Sequence, residues 1–371
     1  MPKTEMRISD AHQLYNFSPG PATLPEVVLQ KSQQLVSAKH PVALLEISHR
    51  SAYVDDVIER MQYTLRDMLS IPDDYEILFA SGGSRAQYAA LAMNLGYAKS
   101  ADYFDTGYWS RYATSEAQKY IEKNKLSIIT SITDEPPLSL PATDEWQLNE
   151  DAAYRHYVSN ETFIGFEFCA ADYIRDGTLV ADMTSNFLTD TIDVKAHKMI
   201  YAGAQKNAGV SGLVYIIVRR DVLAEARHPL TPALYDYDKL LATGSRPTTP
   251  PVFSWLVAQL MLEWIVQQGG VQEMQQRCHH RSTMLYDCID RSSFYTNPIS
   301  PAYRSRVNIF FNLPTVALEQ KFIVAAEAQG LWGLKGHSQT GGIRASLYNG
   351  MPISGAETLV EFMKDFERMA G

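Results

Sequence analysis

Apolar runs of strand length punctuate the first two-thirds of the chain: YEILFA (75–80), KLSIITSI (125–132), TLVADM (178–183), KMIYAG (198–203) and GLVYIIV (212–218). Helical signals fall between several of them. Apolar residues recur at helical spacing from Tyr53 to Leu69, with Ser51 available as an N-cap. An Ala-rich YAALAMNLG follows the SGGSRAQ turn (81–87), and a helix from Trp109 to Tyr120 follows ADYFDTG. Such alternation predicts an α/β fold with a mainly parallel sheet, because parallel strands need crossover segments that cover the sheet faces. From Pro250 the character changes. A long helix (252–268) ends at Gly269-Gly270, and further on SRVNIFFNL (305–313) and GIRASLY (342–348) read as strands, with helices at 316–329 and 355–370. This predicts a smaller α+β layer. The 371 residues suffice for two domains. The expected division is an N-terminal arm and large domain over 1–265 and a small C-terminal domain over 266–371.

The net charge of −9 argues against nucleic acid or an anionic membrane as partner, since both require a concentrated basic face. The longest apolar stretch, Val252 to Val266, is interrupted by Ser254, Gln259 and Glu263, which excludes it as a membrane span. Cys169, Cys278 and Cys288 have no CxxC spacing, so neither a disulfide framework nor a structural zinc site is expected. MPKTEMRISDAHQLYNF has no apolar core of signal-peptide length. A cytoplasmic protein is the expectation.

The chemistry-bearing residues sit at strand ends. Lys206, in AGAQKN, follows an apolar strand, where desolvation lowers an amine's pKa and makes it nucleophilic. Most lysines are solvated surface groups, so Lys206 gains weight only in company. Asp182, in VADMTSN, ends another strand and can either cap a turn or pair with a protonated pyridine nitrogen. SGGSRAQ joins a strand to a helix. Gly82 and Gly83 suit a close backbone approach to phosphate, yet a ligand-free turn fits the segment equally well. Trp109 offers an apolar face to a flat ring. Arg344 suits a substrate carboxylate, and His49, Arg50 and His337 are further cationic candidates. His279-His280 lacks a third ligand at useful spacing and reads as structural.

The order and wording of the segments settle more than any one of them. From about Tyr15 onward, YNFSPGPATLP, EISHRS, ADYFDTGYWS, SNET, ADMTSN, YAGAQKN, TPP, GLKGH and GGIRASLYN resemble the phosphoserine aminotransferases, a fold-type I pyridoxal-phosphate family. The resemblance implies amino transfer between phosphoserine with 3-phosphohydroxypyruvate and glutamate with 2-oxoglutarate, and a homodimer with shared active sites. It implies Lys206 as the Schiff-base lysine and proton shuttle, and Asp182 on the pyridine nitrogen. Trp109 would stack on the ring, and Thr162 would reach its phenolic oxygen. Ser84, Arg85 and Gln205 would hold the cofactor phosphate, with Thr248 and Thr249 of the partner subunit. Arg344 would take the α-carboxylate. His49 and Arg50 of the partner subunit would bind the substrate phosphate together with His337.

The chain departs from the family pattern at Ser84 (usually glycine), Thr248 (usually asparagine) and Ser338 (usually arginine). Arg304 or Arg306 is a candidate substitute for the missing arginine. Ser338 also keeps open an aminotransferase for another small anionic amino acid. A non-catalytic cofactor store would have no need of Arg344.

Overall fold

The computed structural model describes residues 14–37 and 42–370, so most of the N-terminal segment inspected for a signal sequence lies outside the described residues. A seven-stranded sheet forms its centre. In chain order the strands are β1 (Tyr75–Gly82), β2 (Ser100–Asp105), β3 (Leu126–Ser131), β4 (Ala152–Val158), β5 (Leu179–Asp182), β6 (His197–Gly203) and β7 (Gly212–Arg219). Across the sheet they lie β1-β7-β6-β5-β4-β2-β3. Strands β6, β5, β4, β2 and β3 pair in parallel, and β7 runs antiparallel to both β6 and β1. The mainly parallel sheet is as expected. The reversal at β7 has a simple cause, since residues 204–211 are too few for a crossover helix. That short reversal is the segment that carries Lys206.

Every residue of β6 and the whole interior of β7 are buried, as suits near-continuous apolar runs covered on both faces. Strand β4, AAYRHYV, escaped the apolar pattern because Arg155 and His156 occupy its middle. The fold neutralises both. Arg155 is within 3.4 Å of Asp102, pairs with Asp176 and donates to the Asn149 carbonyl, while His156 Nε2 lies 2.8 Å from the Tyr201 hydroxyl. Burial drives the His156 pKa down to about 3, so the ring is neutral in the core.

Helices α1 (Glu26–Ser37), α2 (Ala52–Met68), α3 (Arg85–Leu95) and α4 (Tyr108–Ala117) precede the long pair α5 (Val252–Gln267) and α6 (Gly270–Arg291). The Ser51 hydroxyl caps α2 by accepting from Val54 N. Gly269 and Gly270 take φ of +107° and +75°, which breaks the helical run between α5 and α6 at low steric cost. One sheet face packs Phe79, Tyr157, Ile200 and Tyr215 against α2 and α5. The other packs Leu78, Tyr103, Tyr154 and Tyr201 against α3 and α4.

A third core gathers Leu285 and Ile289 of α6 with Phe322 of α7 (Val316–Ala328) and Phe362 and Phe366 of α8 (Ile353–Ala370). These helices pack on the antiparallel pair β8 (Asn308–Phe311) and β9 (Ile343–Ser346). Tyr15 and Phe17 join this core, and Tyr15–Asn16 pairs in parallel with Leu331–Trp332. The N-terminal segment is thereby anchored to the C-terminal core and passes residues 18–24 back toward the sheet.

Candidate active site

The C-terminal edge of an α/β sheet is where loops gather ligand contacts, and the candidate residues converge there. Asp182 ends β5, Lys206 lies in the loop after β6, and the SNET segment (159–162) follows β4. A cavity of about 190 Å³ is lined by Gly83, Ser84, Arg85, Tyr88, Trp109, Asn160, Asp182, Gln205 and Lys206, among others. Burial pushes the Lys206 amine down to about 8, against the opposing pull of Asp182 and helped by Arg344. Burial raises the Asp182 carboxyl above its usual range, and Thr184, Tyr88 and Lys206 pull against that shift. Thr184 N donates to Oδ1 and the Tyr88 hydroxyl to Oδ2, each at 2.9 Å.

Lys206 is held from two sides. Asn207 Nδ2 donates to the Ser185 carbonyl and its Oδ1 accepts from Asn349 N, which ties the lysine loop to the segment after β9. Ala22 N donates to the Gln205 carbonyl, and a Cβ on Gly20 would sit 3.6 Å from Lys206 Cε. The N-terminal segment therefore forms a wall beside the amine, a role that its wording, YNFSPGPATLP, does not disclose.

Trp109 is fixed at two points. Its indole Nε1 donates to Thr162 Oγ1 at 2.9 Å, and its backbone N donates to Glu161 Oε2. The other carboxylate oxygen of Glu161 accepts from Ser110 N, so a side chain from a distant loop caps α4. Gly107 permits this approach. With φ of +155° and no Cβ, it leaves space that a larger residue would fill at 2.8 Å from Glu161 Cδ. Burial lifts Glu161 to about 7, while the Trp109 and Ser110 amides hold it down. Thr162 also accepts Arg344 Nη1 through its carbonyl, 2.9 Å away. Arg344 is buried on β9, and its Nε has no partner.

The donor set at the loop before α3 fits a phosphate. Gly83 is unobstructed where a Cβ would stand, Ser84 is buried, and the N-terminus of α3 points its positive dipole end into the loop, although the Ala86 and Gln87 N–H groups donate to the Gly83 and Ser84 carbonyls at 3.0 and 2.9 Å. Arg85 forms no ion pair among the described residues; its guanidinium lies 4.1 Å over the Tyr112 ring. The buried Asn160 Oδ1, also lining the cavity, lacks a donor. An aromatic, polar, phosphate-bearing ring such as pyridoxal phosphate suits this set.

Other candidates lie apart. His49, Arg50, Thr248 and Thr249 do not line the cavity; Arg50 and both threonines are exposed. Arg246 binds the two segments together, donating to the His49 carbonyl at 3.0 Å and to Asp55 at 2.6 Å. His337 stacks on Phe163 with ring centroids 3.8 Å apart, and Phe163 in turn stacks on Tyr108 at 4.4 Å. Gln339 N donates to His337 Nδ1 at 3.3 Å. Ser338 is exposed beside it. Neither proposed replacement for the missing arginine is free. Arg304 pairs with Asp290, while Arg306 is locked between Glu167 and Asp190. Among the described residues no group of three or more His, Cys, Asp or Glu is arranged to hold a metal ion. His279 Nε2 instead lies 3.2 Å from Arg306 Nη1.

Tyr88, Asn160, Glu161 and Phe163 are the site residues that sequence reasoning passed over. Asn160 and Glu161 lie inside the SNET segment, so their position was visible although their roles were not.

With a reversed sheet loop presenting a partly buried lysine to a buried aspartate, the chain belongs to the class-V aminotransferases, whose family pattern matches residues 14–359. It is similar to the phosphoserine aminotransferase of Bacillus circulans subsp. alkalophilus at 36% identity, over 97% of this chain and 99% of that one, with a TM-score of 0.89. The pyridoxal-phosphate-bound phosphoserine aminotransferase of Trichomonas vaginalis is 32% identical, over 95% of this chain and 100% of that one, with a TM-score of 0.88. An alanine–glyoxylate aminotransferase from Nostoc shares the fold at 16% identity, over 98% and 97% of the two chains, with a TM-score of 0.74.

Proposed function

We propose that this chain is a phosphoserine aminotransferase that exchanges the amino group between phosphoserine and 2-oxoglutarate, or in reverse between glutamate and 3-phosphohydroxypyruvate, as a cytoplasmic step of serine biosynthesis. The observation that carries the reading is one enclosed constellation: Lys206 lies within electrostatic reach of the buried Asp182 and Arg344, in a fold shared with phosphoserine aminotransferases. Pyridoxal phosphate, when bound, supplies a ring that draws off the charge left on the substrate α-carbon after proton removal.

The chain's own residues do the rest. Lys206 Nζ would hold the cofactor covalently, then as a free amine would take the α-proton and return it to the cofactor carbon beyond the shared nitrogen; burial favours the neutral amine that this requires. Asp182 would accept a hydrogen bond from the protonated ring nitrogen, Trp109 would cover one ring face, and the Thr162 hydroxyl, already accepting from the indole, can donate to the phenolic oxygen. Ser84, Arg85 and Gln205 would hold the cofactor phosphate. Arg344 is oriented by the Thr162 carbonyl and has an unpartnered Nε for a substrate α-carboxylate.

In the same reading the enzyme is a homodimer with shared sites. His49, Arg50, Thr248 and Thr249 would serve the opposite subunit, and their joint attachment through Arg246, away from their own cavity, supports it. His49 and Arg50 would meet the substrate phosphate beside His337 Nε2. A second reading, transfer from another small anionic amino acid, is favoured by Ser338 and by the commitment of Arg304 and Arg306 elsewhere. Half-reactions read from the cofactor's visible band distinguish the two. Phosphoserine and glutamate should each bleach the band and serine should not; equal response to serine and phosphoserine overturns the phosphoserine assignment.

A further inference from the structure

We propose that Tyr88 is a positioning residue for the cofactor: its hydroxyl, bonded to Asp182 Oδ2, holds that carboxylate ionised and in the one orientation that can meet a ring nitrogen. The inference rests on the assignment of Asp182 made above. The geometry points to it in three ways. Tyr88 is 2% exposed, and its ring is wedged edge-on against His156 and Tyr201 and tilted against Tyr112, so its hydroxyl has little freedom to turn elsewhere. Asp182 is 4% exposed, and its hydrogen-bond donors among the described residues are Tyr88 and Thr184. A carboxylate buried to that degree keeps its charge only through such donors.

The other ionisable groups do not substitute for this bond. Lys206, Glu161 and Tyr201 influence Asp182 through charge alone, and Arg85 and His156 face Tyr88 rather than the carboxylate. His156 is committed to the Tyr201 hydroxyl. Phenylalanine at position 88 would preserve the packing and remove only the donor. Asp182 Oδ2 would then be buried without a partner, which favours the protonated acid that cannot pair with a pyridinium.

The test measures binding to apoprotein rather than turnover. Pyridoxamine 5′-phosphate is the probe, because it carries the same ring but forms no covalent link with Lys206. Its affinity is measured by calorimetry between pH 5 and 8 for the parent, Tyr88→Phe, Asp182→Asn and the double variant, with Tyr201→Phe as a packing control and melting temperatures to verify folding. Tyr88→Phe should weaken binding about tenfold and move the acid limb up by about one pH unit, because the unsupported carboxylate takes its proton earlier. Tyr201→Phe should leave that limb in place, and Tyr88→Phe should add nothing once Asp182 is asparagine. An unmoved limb in Tyr88→Phe, or an undiminished effect in the Asp182→Asn background, overturns the role of Tyr88. If Asp182→Asn itself binds the probe as the parent does, the ring-nitrogen assignment fails instead.

Discussion

The two halves of the candidate site are built on opposite principles. Around Lys206, side chains are enclosed and held: Asp182 has two donors, Trp109 two anchors, and Arg344 a carbonyl partner. At residues 49–50 and 248–249 the side chains are largely exposed and their order comes from Arg246 beneath them. Chemistry that depends on shifted proton affinities needs the first environment, because only burial moves a lysine to about 8. Capture of a doubly charged substrate group suits the second, where cations remain solvated until a partner surface closes over them. On the proposed function, one chain would complete the proton-transfer apparatus and leave phosphate recognition to an assembly.

Removing the amine is the most severe way to break this division. Lys206→Ala should abolish turnover while retaining the fold, measured by transamination rate and melting temperature. Arg50→Ala should keep the buried half intact yet lose affinity for phosphoserine, on the order of tenfold to a hundredfold for a lost charge-assisted contact. Mixed dimers of these two variants should regain one working site. Verified heterodimers that stay inactive would show that the exposed segments serve their own subunit.

Asp182→Asn should still bind cofactor but transaminate at least about a hundredfold more slowly, as expected for loss of a buried electrostatic partner. A rate within about threefold of the parent would remove Asp182 from the mechanism.

The buried half should also show its pH signature. Burial lowers the Lys206 pKa, so the nucleophilic neutral amine is depleted below about 8 and present above it. Capture of pyridoxal phosphate by apoprotein, followed by stopped-flow absorbance, should rise about tenfold per pH unit toward that value and level off beyond it. Continued rise to pH 10 would mean that the amine is solvated.

The smallest effect is expected at the exposed rim. Ser338→Arg should lower the Michaelis constant for phosphoserine less than about tenfold, since a solvated arginine contributes modestly, and should leave serine unaffected. An equal gain with both substrates would place residue 338 away from the phosphate.

Much of this architecture could be read from the chain. Strand-length apolar runs located most of the sheet, and the strand ends located Asp182 and Lys206. Strand β4 was hidden because Arg155 and His156 interrupt its apolar pattern, and only Asp102, Asp176 and Tyr201 make them tolerable in a core. The reversal of β7 was legible in principle from the short 204–211 gap. The part played by Glu161 was not, because a carboxylate that caps a helix beginning at Tyr108 leaves no local pattern at either place.

The sequence by itself determined the α/β alternation and the exclusion of a long apolar span, and its resemblance to the phosphoserine aminotransferases singled out Lys206 and Asp182. The alternation and the exclusion follow from local periodicity and residue chemistry, which need no knowledge of neighbours distant in the chain. The tertiary structure alone decided which cations are free and which are spent: Arg304 and Arg306 are tied to carboxylates, while Arg344 keeps an open nitrogen. It also brought Tyr88 to Asp182 and Gly20 to Lys206, residues 94 positions apart in the first case and 186 (206 − 20) in the second. Burial sets these charges and proton affinities, and burial is a property of the packed fold rather than of any segment of it.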